Sequence, residues 1–426
     1  MSMDPVQINQ YLWCGFLPPR EFPAWVSGCM TPESIGREYS LREAAERFDI
    51  LFDALVELAP SGRHIIPLSG GWDSRAILGA LLERIDSDQI TTVTFGVPGH
   101  LDYDLGKIVA DLAGVNHHTL DLRSIDFTWE TLRESVLASP WAPVPDVMFN
   151  SFCRNLVSST SDTIWSGFLG DALTGLQPSD MSMTYDEKTK KFSEKLRRSK
   201  SQQIHAIDFN PDEVCRSPQN LPANIIDHEK IQRSWHVYCV AFSEAPIVTP
   251  TEKWDDWGAL IGKERNGARV IAPFADSAWG GYWLAAPRKV RKGQNLYVEM
   301  LNLKFPKLFS LPGKINYGTR WSHGVHAMIQ KWVYIFRSQM QARAPQFGIR
   351  SSLMANYLDY NEMFRNREDY QATLGTAFEY LRDNQVVPWL DLDMLWEEHM
   401  RRRKDHGDAF CVLLGLAANC VENPLE

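Results

Sequence analysis

The chain has 426 residues and a formal net charge of −9; 44% of its residues are hydrophobic and 23% charged. Those are ordinary globular values, which exclude disorder and fibrous repeats as the main state and predict two or three domains. The acidic balance speaks against non-specific nucleic-acid binding, and no uncharged apolar run reaches the ~18 residues of a membrane span.

Residues 1–38 are rich in Pro, Gly and aromatics and read as an irregular, packed arm. Met1-Ser2-Met3-Asp4-Pro5 has no basic stretch ahead of an apolar run, so no secretory signal is expected. Seven cysteines without a CxxC pair fit reduced, mostly buried thiols in a cytoplasmic protein. From Ser40 the pattern turns helical. Ser40-Leu41-Arg42-Glu43 has capping-box spacing, and Ala44, Ala45, Phe48, Leu51, Phe52, Leu55 and Leu58 recur at helical intervals.

An α/β alternation starts at His64. His64–Leu68 is a short apolar strand that breaks at Ser69-Gly70-Gly71, and a helix follows through Ile77, Leu78, Leu81 and Leu82. Ile90–Phe95 is a second strand, broken by Gly96-Val97-Pro98-Gly99. A helix over 102–114 then presents Leu105, Ile108, Val109 and Leu112. His117–Leu122 and Thr163–Trp165 are further strands. Strands alternating with helices predict a parallel sheet with covered faces. Pro67 suits only the strand's end, since it cannot donate to a ladder. Residues 184–201 hold five Lys and two Arg and read either as a solvated face or as a mobile lid. Residues 321–426 are mainly helical in pattern, with Arg401–Lys404 as a solvated stretch near a helix end.

Three features sit at carboxyl ends of strands, the rim where open α/β sheets bind ligands. The first is Leu68-Ser69-Gly70-Gly71-Trp72-Asp73-Ser74. Its glycines let backbone approach an anion, Ser69 and Ser74 add hydroxyls, and the following helix points orphan N–H groups at the same place. That is a polyphosphate cradle, though not of the GxxxxGK[ST] type. A carboxylate in an anion site needs a bridging cation, so Asp73 implies Mg²⁺. The second is Ser166-Gly167 through Gly175, where Asp171 completes a two-carboxylate clamp from across the rim. The third is Phe95-Gly96, which either reads a purine edge through backbone or is a simple turn. His117 and His118 are not a metal pair, because strand neighbours face opposite ways.

These residues resemble the ATP-pyrophosphatase loop group, and within it the synthetase domain of asparagine synthetases and their relatives, the β-lactam synthetases and lasso-peptide cyclases. Ser69–Ser74 resembles the SGGxDS loop. Phe95 through Gly114 to His117-His118 resembles the second strand, helix and HH turn, and Ser166–Gly175 resembles SGxGxDExxGG. Arg269–Asp276 and Leu311–Gly318 resemble the family's R-x-PFLD segment and its lysine-bearing stretch. The likeness runs from about residue 40 to about residue 330 and gives a division into an arm (1–38), a synthetase domain (39–320) and a helical C-terminal region (321–426). It implies adenylation of a substrate carboxylate by ATP with release of pyrophosphate, then attack by an amine and release of AMP. By motif, Ser69, Gly70, Gly71, Asp73 and Ser74 hold pyrophosphate, and Asp73 and Asp171 hold Mg²⁺. Leu68, Phe95, Ser166 and Gly167 meet the adenosine, and Lys314 stabilises developing charge.

Two departures bear on the second half-reaction. Ser2 stands where the asparagine synthetases carry their glutaminase Cys, and the arm is too short for that domain. The amine is therefore expected from a partner such as an ammonia-supplying or carrier protein, from free ammonia, or from the substrate. Phe168 and Ala172 replace two acids of the family's turn. The expected substrate is a small-molecule or peptide carboxylate, with no nucleic-acid or membrane partner. Two other readings remain at this point: a nucleotide-binding pseudoenzyme or partner subunit, and a sulfur-transfer enzyme using the same loop.

Overall fold

The computed structural model describes residues 4–17, 39–59, 61–138, 140–141, 155–167, 170–175, 197–211, 261–263, 269–314 and 358–423, with isolated positions between 187 and 196 and between 329 and 336. Phe168 therefore lies outside the described residues, as does most of the stretch expected to follow Lys314.

The arm is not irregular where it is described. Pro5–Cys14 forms helix α1, whose cap Asp4 accepts from the Val6 N–H (2.9 Å). Pro5 occupies the first helical position, where a missing N–H costs nothing. Ile8, Tyr11 and Leu12 bury one face at helical spacing. Helix α2, Leu41–Leu58, begins as its capping sequence predicts, with Ser40 Oγ accepting from the Glu43 N–H (3.1 Å). Ala44, Phe48, Leu51 and Phe52 are buried, whereas Leu58 is exposed.

Among the described residues the sheet has six strands, in the order β3-β2-β1-β4-β6-β5. These are β1 His64–Pro67, β2 Ile90–Gly96, β3 Asn116–Asp121, β4 Thr163–Trp165, β5 Ile261–Lys263 and β6 Arg269–Ile271. Five run parallel; β5 adds antiparallel to β6 at one edge, an exception to the parallel pattern expected. Strand β1 is central and buried, paired with β2 on one side and β4 on the other. The Trp165 indole N–H crosses to His64 Nδ1 (3.0 Å) and locks that pairing in the interior. Pro67 pairs in register with Val93, while the β4 pairing has already ended at Ile65↔Ile164. Its missing N–H therefore leaves no gap in the ladder.

Helix α3, Trp72–Leu82, leaves β1, and helix α4, Leu101–Ala113, connects β2 to β3. Helix α4 packs on β2 and β3 through Leu105, Gly106, Val109 and Ala110. Ile108 and Leu112, expected on that face, are exposed instead, a quarter-turn away from the buried stripe. On the β3 edge, His117 is half-buried against Thr92 Oγ1 (2.8 Å) and His118 is exposed, as alternation requires.

The C-terminal helices are not a region apart. Helices α5 (Trp129–Ala138), α11 (Tyr360–Asn366), α12 (Glu368–Asp383), α13 (Leu392–Met400) and α14 (Gly407–Glu422) enclose a second core. That core includes Ile8, Tyr11 and Leu12 of α1 and Leu132 and Val136 of α5. Thr373 Oγ1 donates to the Phe127 carbonyl (3.0 Å), and Asp369 accepts from the Phe127 N–H (2.8 Å). The division at residue 320 thus cuts across a shared interior. Arg401–Lys404 does lie exposed just past the end of α13.

Of the charged stretch 184–201, the described end is docked rather than lid-like. Trp13 Nε1 donates to the Ser193 carbonyl (3.0 Å), and the Arg198 N–H donates to the Trp13 carbonyl (2.8 Å). Asp408 accepts from the Lys200 and Ser201 N–H groups (2.6 and 3.1 Å). Residues 184–186 lie outside the described residues. No helix among the described residues is long and apolar enough to cross a membrane.

His399 is fully buried, donating from Nε2 to the Asn361 carbonyl (3.1 Å) and accepting at Nδ1 from the His406 N–H (3.0 Å). Only the neutral ring fits that pair of contacts. Burial, reinforced by Arg365, pulls it down from 6.5 to about 4. The unfolded chain therefore takes up the proton first on acidification. The stabilisation is complete above the unfolded value and is lost as pH falls toward about 4, by on the order of 2–3 kcal/mol. Melting temperatures measured from neutral pH down to that value should fall, with a shallower slope for His399→Gln. Equal slopes would assign the effect to other groups.

Candidate functional site

Strand order reverses at β1: β2 and β3 build outward on one side, β4 and β6 on the other. The turns after β1 and β4 therefore border one crevice, the switch point where such sheets bind ligands. The structure brings the two turns into contact. A Cβ on Gly167 would lie 3.4 Å from both Asp73 Cβ and the Ser74 amide. At Gly170 it would lie 2.2 Å from the Asp73 carboxyl carbon, so only glycine fits there. Gly170 opens helix α6, Gly170–Thr174, which carries Asp171 in its first turn.

The β1 turn is held by its own hydroxyls. Ser74 Oγ accepts from the Ser69 N–H (3.2 Å), and Ser69 Oγ accepts from the Gly71 N–H (3.1 Å). Gly71 caps α3 with extended backbone and without a side-chain bond, so the cap residue adds no acceptor of its own at the helix end that attracts anions. Gly70 is closely approached: a Cβ there would lie 2.9 Å from Leu105 Cδ1 and 3.2 Å from the Leu101 carbonyl oxygen.

Sequence reasoning missed three residues that organise this rim. Arg75 is fully buried in the first turn of α3. Its guanidinium donates to the carbonyls of Leu308 (3.2 Å), Leu311 (3.3 Å) and Pro312 (2.9 Å). Burial lowers it to about 10, so it remains charged at neutral pH. Arg75 thus ties α3 to the segment carrying Lys314, whose own N–H donates to the Gly70 carbonyl (2.8 Å). Asp102 is buried in the first turn of α4. It accepts from the Gly70 N–H (3.1 Å) and from Lys314 Nζ (2.6 Å). Tyr297 belongs to helix α9, Asn295–Lys304, numbered after α7 (Ser277–Ala285) and α8 (Arg288–Arg291), and its hydroxyl donates to Asp73 Oδ1 (3.0 Å). Burial, then the Asp73 charge, raises this phenol well above its ordinary range and keeps it a donor.

Asp102 left a readable trace. It falls in phase with Leu105, Val109 and Ala110, a carboxylate on a core stripe. Tyr297 left none, because an aromatic among Val298 and Leu301 reads as ordinary core.

The remaining expected residues fall on the same rim with differing freedom. Leu68 is committed to the sheet: its N–H donates to the Val93 carbonyl (2.8 Å) and its carbonyl accepts from Thr94 Oγ1 (2.6 Å). Only a second lone pair of that carbonyl is left for a ligand. The Ser166 N–H likewise donates to the Ile271 carbonyl (2.8 Å). Phe95 is the penultimate residue of β2, half-buried between the two cores.

Asp73 and Asp171 both lie close enough to Tyr297 to push its phenol upward. Among the described residues, no group of three or more His, Cys, Asp or Glu forms a self-sufficient metal cage. Two carboxylates fit a Mg²⁺ that completes its shell with substrate phosphates and water.

Replacing Arg75 by Met should strand three inward-facing carbonyls and destabilise the fold by about 2–4 kcal/mol in urea unfolding. A loss below about 1 kcal/mol would mean that those carbonyls find water instead.

No protein-family model matches the chain, and no curated protein matches it.

Proposed function

We propose that the chain is an ATP-dependent, AMP- and pyrophosphate-forming amide ligase with an asparagine synthetase-like, ATP-pyrophosphatase-type domain. It would adenylate a small-molecule or peptide carboxylate and pass the acyl group to an amine or to ammonia. The observation that carries this reading is the meeting of two strand-end turns, Ser69–Ser74 and Gly167–Asp171, with Lys314 at one switch point. A helix N-terminus without a side-chain cap, beside two carboxylates and a lysine, suits a polyphosphate better than an uncharged ligand.

In this reading the first α3 amides and the Ser69 and Ser74 hydroxyls bind the β- and γ-phosphates, and Gly71 lets the backbone approach them. Asp73 and Asp171 would hold Mg²⁺, which would supply positive charge against the phosphates. Tyr297 keeps Asp73 oriented by donating to one carboxylate oxygen. Lys314, fixed beside Gly70, offers its ammonium to charge that develops on the phosphates as pyrophosphate departs. Phe95, Gly167 and the spare acceptor on Leu68 are the backbone candidates for adenosine. The amine is supplied by a partner protein, by free ammonia or by the substrate. A cytoplasmic setting belongs to the same reading, on the odd count of seven cysteines without a CxxC pair.

Pyrophosphate release with ATP, Mg²⁺ and a panel of carboxylates tests the reading. Asp73→Asn should lower turnover by about 2–4 kcal/mol of transition-state stabilisation. Unchanged turnover would remove the turn from the site. Lys314→Ala should reduce turnover more than ATP affinity; the opposite split would make Lys314 a binding residue.

A further inference from the structure

Asp102 is the most deeply buried acid on the rim, and it makes two contacts that no ordinary helix-start carboxylate would. One oxygen takes the Gly70 N–H of the β1 turn (3.1 Å), and the other takes Lys314 Nζ (2.6 Å). The neighbouring Asp104 already does the local work, accepting from the Gly99 N–H (3.0 Å) and closing the turn before α4. Asp102 reaches instead across 32 and 212 positions of sequence to two parts of one site. It is itself 3% exposed, whereas the Lys314 side chain is 38% exposed. The acid is therefore the fixed member of the pair, and the lysine is the member that can reach out.

We infer that Asp102 is a positioning residue that sets Lys314 against the phosphate-binding turn, at a cost in phosphate affinity. The inference rests on the adenylation reading for its catalytic consequence. Two contacts define the geometry. The Lys314 backbone is tethered to the Gly70 carbonyl, and its ammonium is tethered through Asp102 to the Gly70 N–H. Backbone and side chain of Lys314 are thus both referenced to the same glycine. A lysine held only by its backbone would sweep several rotamers, and ordering it would be left to the substrate. The fixed carboxylate also has a sign. It partly neutralises the ammonium and puts negative charge beside a turn that receives phosphate oxygens, which lowers the turn's affinity for them.

The two roles separate in Asp102→Asn. The amide oxygen still accepts from Gly70, but the charge that holds Lys314 is gone. Calorimetry with Mg²⁺ and inorganic pyrophosphate should then show binding roughly 3–10-fold tighter, because a repulsive charge is removed and a lysine released. Turnover in pyrophosphate release should fall roughly 10–100-fold, because the lysine is no longer aimed. Opposite movements of affinity and rate are not what general damage to the site produces. A third measurement needs no nucleotide. Acylation of Lys314 by an amine-reactive ester, followed by peptide mass spectrometry, should quicken several-fold in Asp102→Asn at unchanged melting temperature.

Slower or unchanged labelling of Lys314, or weaker pyrophosphate binding in the variant, overturns the inference. If the wild type fails to bind pyrophosphate or release it from ATP, the adenylation reading fails. The labelling comparison still decides whether Asp102 fixes Lys314.

Discussion

Parallel strands cannot be joined by tight turns, and that constraint shapes everything else here. Each crossover must travel back along the sheet, so the carboxyl ends of β1, β2, β4 and β6 share one edge. With β1 in the centre and neighbours added on both sides, the turns after β1 and β4 diverge and leave a crevice between them. Ser69, Gly70, Gly71, Ser166 and Gly167 in those turns are polar or small, as suits residues that border a crevice. Gly170 shows how tightly the two sides meet, since its missing side chain is the space the Asp73 carboxylate occupies.

Charge on this rim is managed in pairs. Asp102 answers Lys314 across a salt bridge, and Asp73 is satisfied in part by a neutral phenol. Arg75 has a different arrangement: its described partners are carbonyl dipoles in a deeply buried position. Uncompensated burial is what lowers it to about 10. A carboxylate there would have made a tighter pair but a rigid one. Three carbonyls spread over Leu308 to Pro312 hold the whole segment, not one side chain, and that segment delivers Lys314.

Much of the α/β core was legible in the sequence, because periodicity reports burial. Ser40, the apolar stripe behind it, and the strands from His64, Ile90 and Thr163 all stand where the pattern puts them. The failures have physical causes. Helix α1 was hidden by Pro5, which terminates a helix when interior but starts one at its first position. Ile108 and Leu112 are apolar yet exposed, a reminder that apolar residues also cover surfaces. Strand β5 is three residues long and offers no period to read. In the site, the turn residues were visible because glycine, serine and aspartate after a strand are locally unusual. Arg75 and Tyr297 were not, because their partners lie 224 to 237 positions away and nothing local marks them.

The second core joins α1 to α14, about 400 residues apart in sequence. Tyr11 and Leu12 of α1 share an interior with Phe410, Leu414 and Ala418 of α14. On a ribosome those partners emerge roughly 20–80 s apart at ordinary elongation rates. For that interval the apolar face of α1 has no completed shelter, although the sheet around β1 can already close. The order of synthesis thus divides the molecule differently from its architecture. The core around the sheet can close early, whereas α1 is settled only once α14 has been made.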